Sequence, residues 1–181
     1  RKPLVVLTPK SMLRTPTSSL DEILEGGYFS EMLDDPKFVS GGWDRSGVDR
    51  VLLCSGKIYH ELDARREELG RKDTAIIRIE QLYPFHDSML QEIVSRYPDK
   101  VAIEYVQEET YNAGAWLYVS DMVQEKLGWA RPRYIGRARS SSPATGSKSQ
   151  HKIEQELILT QAIGAKPEAS GKEAKVAAAR A

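Results

Sequence analysis

The chain has 181 residues, 40% of them hydrophobic, enough apolar material for one core. Lys plus Arg number 26 against 26 Asp plus Glu, a formal net charge of zero, so no global field favours nucleic acid or another polyanion. The single cysteine, Cys54, excludes an intrachain disulfide framework and any multi-cysteine zinc or iron–sulfur site, and no stretch approaches the roughly 20 apolar residues of a membrane helix. A soluble protein of a reducing compartment, binding neither nucleic acid nor membrane, is expected.

In chain order, Arg1-Lys2-Pro3 passes at once into Leu4-Val5-Val6-Leu7, the first of four short apolar runs. With no initiator Met and no signal-peptide core, this start reads as part of something longer. Residues 15–47 break any rhythm with Pro16, Pro36, two Gly pairs and a Ser/Thr run, so an irregular insertion with a short helix near residues 21–24 is expected. The other runs, Val51-Leu52-Leu53-Cys54, Ala75-Ile76-Ile77-Arg78-Ile79 and Val101-Ala102-Ile103-Glu104-Tyr105-Val106, are mostly continuous, as strands covered on both faces are. Helical spacing lies between and after them: Ile58, Leu62 and Leu69 before Gly70; Leu90, Ile93, Val94 and Tyr97 before Pro98; residues 113–127 before Gly128. A short strand at residues 133–136 and a last helix carrying Ile153, Leu157, Ile158 and Ala162 complete the pattern. Such alternation predicts right-handed crossovers in an α/β fold, a three-layer α/β/α sandwich with a mostly parallel five-stranded sheet, over residues 1–164. The final 17 residues hold seven Ala, three Lys and two Glu and no aromatic, the composition of a disordered tail over residues 165–181.

The chemistry visible in the residues is sparse. Cys54-Ser55-Gly56-Lys57 joins a strand to a helix, but a phosphate-binding loop of the Walker type needs Gly and Ser or Thr where Val51 and Ile58 stand. What remains is a small-residue turn at a helix start, which is either tight turn geometry or a seat for an anion. Cys54 reads as a small buried hydrophobe. His60, His86 and His151 are too dispersed for a cluster, and no Ser-His-Asp arrangement can be built from spacing. Glu108 and Glu109 are adjacent, on opposite sides if the segment is a strand. From Arg131 to Gln150 five Arg or Lys occur without an acid, in a setting that suits a solvated loop, a subunit interface or an anion site.

Five strings in order resemble the C-terminal domain of 2-oxoglutarate dehydrogenase, the thiamin-diphosphate-dependent component. They are Pro3-Leu4-Val5-Val6 with Thr8-Pro9-Lys10-Ser11-Met12-Leu13-Arg14; Val51 through Tyr59; Arg78-Ile79-Glu80-Gln81-Leu82-Tyr83-Pro84; Gln107-Glu108-Glu109 with Asn112 and Gly114-Ala115-Trp116; and Tyr134-Ile135-Gly136-Arg137 with Ser142-Pro143-Ala144-Thr145-Gly146, His151 and Glu154-Gln155. The resemblance implies a transketolase C-terminal-like fold, a homodimer, and a parent enzyme of the bacterial cytoplasm or mitochondrial matrix. That parent oxidatively decarboxylates 2-oxoglutarate and succinylates the lipoyl carrier of a succinyltransferase component. It also implies that this part packs on upstream domains of the same polypeptide rather than holding cofactor. Thiamin diphosphate and Mg need Gly-Asp-Gly and paired Asn, whereas this chain has no Gly-Asp-Gly and only Asn112, so they belong upstream and no catalytic residue is expected here. Candidate interface residues are Glu108, Glu109, Asn112, Gly114, Trp116 and Arg137, with Trp116 expected as an exposed apolar anchor. Candidate ligand residues, for an anion or regulator, are Ser55, Gly56, Lys57 and Gln81. In actinobacterial relatives Gln81 corresponds to a residue acting with a basic pair in acetyl-coenzyme A activation, and here Ser88 and Met89 fall at that pair. The competing expectation is a free-standing α/β module binding an anionic nucleotide at its strand ends.

Overall fold

The computed structural model describes residues 2–6, 8–15, 17–24 and 27–166. Its strands are β1 (Met32–Leu33), β2 (Arg50–Cys54), β3 (Thr74–Ile79), β4 (Ala102–Thr110) and β5 (Arg133–Arg137). They form one sheet in the order β1-β3-β2-β4-β5, parallel throughout except for β1, which runs antiparallel to β3. The helices are α1 (Leu20–Leu24), α2 (Pro36–Val39), α3 (Ile58–Leu69), α4 (Asp87–Val94), α5 (Trp116–Leu127) and α6 (Lys148–Ala162).

Because side chains alternate across a strand, the continuous apolar runs supply two cores at once. Val51, Leu53, Ala75, Ile77, Ile79 and Tyr105 meet Leu90, Ile93 and Val94 of α4 and Trp116, Val119 and Val123 of α5. Leu52, Cys54, Ile76, Val106 and Ile135 meet Ile58, Tyr59 and Leu62 of α3 and Ile158, Leu159 and Ala162 of α6. This is the expected three-layer sandwich. Helices α3 and α5 stop at Gly70 and Gly128 as the pattern indicated.

The first strand differs from expectation. Leu4, Val5 and Val6 lie outside the sheet and exposed, Leu4 at 87%, while Leu7 lies outside the described residues. The fifth strand comes instead from the 15–47 segment. Met32 and Leu33 pair with Ile79 and Arg78, and the Glu31 carbonyl accepts from both Glu80 N and Gln81 N at 2.9 Å. What seats this segment is Asp35, fully buried in an ion pair with the equally buried Arg66. Asp35 also accepts from Ile76 N at 2.8 Å and caps α2 through Lys37 N at 3.1 Å, while Arg66 donates to Thr74 O at 3.0 Å and lies 4.9 Å from the Trp43 ring centroid. A two-residue strand and a four-residue helix are too short for periodicity to reveal. Of the tail, Ala165 and Lys166 are exposed and the rest lies outside the described residues.

Candidate functional site

At the carboxyl ends of the parallel strands, neighbouring β2 and β4 send their chains to opposite faces, to α3 and α5, which opens a crevice between them. A cavity of about 470 Å³ lies there, lined among others by Ser55, Gly56, Tyr83, Tyr105, Glu109 and Tyr118. Its floor is set by Gln107. The buried side chain donates to Thr110 O at 3.0 Å and Ala113 O at 2.8 Å, and its Oε1 accepts from Trp116 N at 3.0 Å, so one amide shapes the whole β4–α5 turn and starts the helix. Gly114, at φ +68°, fits against it; a Cβ there would meet Gln107 Oε1 at 2.7 Å.

Of the candidate ligand residues, Ser55 and Gly56 line this cavity and Lys57 and Gln81 do not. Gln81 donates from Nε2 to Pro84 O at 3.1 Å. Lys57 is paired with Glu108 and with Glu61 at 3.1 Å. Burial works against its charge, but the hydrogen bond and charge of Glu108, then those of Glu61, outweigh it and hold the ammonium above its ordinary pKa. Gln155 ties both carboxylates together, donating to Glu61 at 3.0 Å and Glu108 at 3.2 Å. The positive charge that an anionic ligand would need is thus committed to carboxylates, and the cavity itself offers Glu109.

Of the candidate interface residues only Trp116 is buried; Glu109, Asn112 and Gly114 are exposed, and Glu108 and Arg137 are half-buried. Trp116 is only 2% exposed, among Tyr105, Tyr111 and Tyr134 with ring centroids 5.1–6.0 Å away, and Arg131 stacks on it at 5.1 Å. The expected exposed anchor is therefore corrected: this indole is already spent on its own domain. Asn112 and Ser140 exchange two 3.0 Å bonds, Asn112 Nδ2 to Ser140 O and Ser140 N to Asn112 Oδ1. Arg137 pairs with Glu154 at 3.1 Å and bonds His151 Nδ1 at 2.8 Å. Glu109 remains exposed on the cavity rim. Two residues with structural authority were not singled out from sequence: Gln107, whose signal was only its place before Glu108-Glu109, and Tyr134. The Tyr134 hydroxyl donates to Arg137 O at 2.8 Å, and a Cβ on Gly136 would come within 2.6 Å of Tyr134 Cζ.

Donor chemistry for a thiamin diphosphate–metal pair is poor in this chain. The lone Asn112 is engaged with Ser140, and among the described residues no group of three His, Cys, Asp or Glu is placed to hold a metal. Cys54 is buried and its thiol is pushed up to about 12 by burial. Among the described residues no helix is long and apolar enough to cross a membrane.

The sequence matches the family described as 2-oxoglutarate dehydrogenase C-terminal over residues 17–163. It is 38% identical over 170 residues to the 2-oxoglutarate dehydrogenase E1 component of Rickettsia typhi, a span of 91% of this chain and 18% of that protein. It is 41% identical over 169 residues to the multifunctional 2-oxoglutarate metabolism enzyme of Mycolicibacterium vanbaalenii, 90% of this chain and 13% of that enzyme. With the E1 component of Cupriavidus necator the identity is 38% over 166 residues, 90% of this chain and 17% of the relative. The chain spans less than a fifth of the length of these relatives.

Proposed function

The chain belongs to the 2-oxoglutarate dehydrogenase C-terminal family, and on that premise we propose that it is the closing domain of an enzyme that oxidatively decarboxylates 2-oxoglutarate and passes the succinyl group to a lipoyl carrier. Its own part in that work is architectural: it packs on the upstream domains, extends a homodimer interface and offers a surface for regulation. The observation that carries this reading is the family match across nearly the whole sheet, from the insertion to α6. The exposed apolar residues Leu4, Val5, Val6, Leu20, Ile23 and Phe29 support it, because side chains of that kind gathered in one stretch are what a neighbouring domain covers. Thiamin diphosphate and Mg would supply the decarboxylation chemistry from elsewhere in the polypeptide, since the residues here do not fit them. The free-standing nucleotide module is disfavoured by the pairing of Lys57 with two carboxylates.

The test is twofold. The coding sequence ahead of Arg1 should continue in frame into a thiamin-binding domain. The joined polypeptide, given thiamin diphosphate and magnesium, should reduce a dye with 2-oxoglutarate in preference to pyruvate or branched-chain oxo acids, and the 181-residue chain alone should not. A stop codon immediately upstream, or 2-oxoglutarate turnover by the purified chain, would overturn the reading.

A further inference from the structure

A second and larger cavity, of about 590 Å³, lies on the other side of the β4 carboxyl end, between the loop after β5 and the start of α6. That is the size range of a small-metabolite pocket. Its walls include Thr110, Arg137, Arg139, Thr145, Glu154 and Leu157. It lies within the segment of this otherwise neutral chain where five Arg or Lys occur without an acid.

Four observations converge on it. The first is a polar atom without an occupation: Thr110 is 5% exposed, it forms part of the wall, and its buried Oγ1 has no hydrogen-bond partner among the described residues. Buried hydroxyls are rarely left so, and a group that arrives from outside the chain is one way to satisfy them. The second is charge. Two arginines and one carboxylate line it: the Arg139 guanidinium lies 4.6 Å from the Tyr111 ring centroid without an ion-pair partner among the described residues, and Glu154 is already held by Arg137 and by Gln150 Nε2 at 2.8 Å. Arg137 spends Nη2 on His151, while its buried Nε stands 3.1 Å from Glu154 Oε2 as an ion pair without a hydrogen bond, so of the five donors of the guanidinium capacity remains. The third is the 15-residue helix α6, whose flank walls the cavity with both polar and apolar side chains, Gln150, Glu154 and Gln161 beside Leu157 and Ile158. The fourth is that the mouth is pre-formed: Asn112 with Ser140, and Tyr134 with Arg137 O, fix the loop, so little ordering cost attends binding.

We propose that the β5–α6 cavity is a binding site for a small oxyanion-bearing metabolite, a phosphate or carboxylate on a compact organic body, with Arg137 and Arg139 on the anion and Thr110 Oγ1 at its inner end. Leu157, Ile158 and Pro143 supply an apolar wall for the body of the ligand. The site is separate from the cavity at the β2–β4 crevice and does not depend on the reaction proposed for the parent enzyme.

The 181-residue chain, isotope-labelled, is titrated with inorganic phosphate and in parallel with malonate while amide shifts are followed. At least one of the two probes should produce saturable shifts confined to residues 137–150 and Thr110, and the better one identifies the head group. Arg139→Gln should weaken that binding about tenfold or more and Thr110→Val roughly threefold to tenfold. Thr110→Val should leave the unfolding midpoint unlowered, because the hydroxyl it removes bonds nothing in the free protein; a merely structural threonine would show the reverse. Shifts that never saturate with either probe, or binding equally strong in both variants, would overturn the proposal and leave only diffuse counter-ion attraction.

Discussion

Gln107 shows how much of a fold can hang on one amide. It satisfies two carbonyls and the first N–H of α5 from a buried position, so a Gly114 side chain has nowhere to go. Gly114→Ala combines a left-handed backbone with a contact against Gln107 Oε1, and a loss of about 2 kcal/mol in urea unfolding is expected. A loss below about 0.5 kcal/mol would mean that the turn relaxes freely. At the same scale, the resemblance places Ser88 and Met89 where a coenzyme A phosphate would need Arg or Lys. Two basic side chains that could compensate are engaged: Lys57 by Glu61 and Glu108, and Arg78 by the Tyr59 ring at 4.4 Å and Glu80 at 3.5 Å. Each charge-assisted bond contributes on the order of 1.5–3 kcal/mol, so two losses weaken binding by roughly two to four decades. Calorimetric titration of acetyl-coenzyme A into the joined polypeptide should therefore show no saturable micromolar binding.

At the scale of elements, the segment that composition marked as an insertion holds one sheet edge in place. The buried Asp35–Arg66 pair joins α2 and β1 to α3 and β3, and Asp63 adds a 2.7 Å contact to Arg66 at its half-exposed side. Asp35→Ala strands a buried guanidinium, and about 3–5 kcal/mol of stability should be lost. Replacing both partners with Leu should cost much less than the two single changes added together, which a double-mutant cycle by chemical denaturation measures. Parallel strands and long amphipathic helices were legible because runs such as Val51–Cys54 and spacings such as Leu90–Ile93–Val94 repeat a period. The Met32–Leu33 strand was not, since two residues carry no period and its seating depends on Arg66, distant in sequence. For the same reason the motif residues could be found while their roles could not. Trp116 and Asn112 occupy the motif positions, yet contacts that bury the one and tie down the exposed other come from Tyr134 and Ser140, on the other side of α5 in the chain.

For the whole molecule, the apolar surface that remains is concentrated ahead of the sheet, at Leu4, Val5, Val6, Leu13, Leu20, Ile23, Leu24, Tyr28 and Phe29, rather than around the indole. The isolated chain should therefore self-associate with rising concentration in sedimentation velocity, and a version beginning at residue 30 should remain monomeric; association of both to the same extent would place the sticky surface elsewhere. The position of β2 carries a different consequence. It is bonded on one edge to β3 and on the other to β4, and α3 and α6 cover one face while α4 and α5 cover the other. No partial opening can wet it without first removing a neighbour on every side. In deuterated buffer the amides of Val51, Leu52 and Leu53 should hold their protons longest, at a pace set by unfolding of the entire domain, while those of the exposed Leu4, Val5 and Val6 trade theirs almost at once.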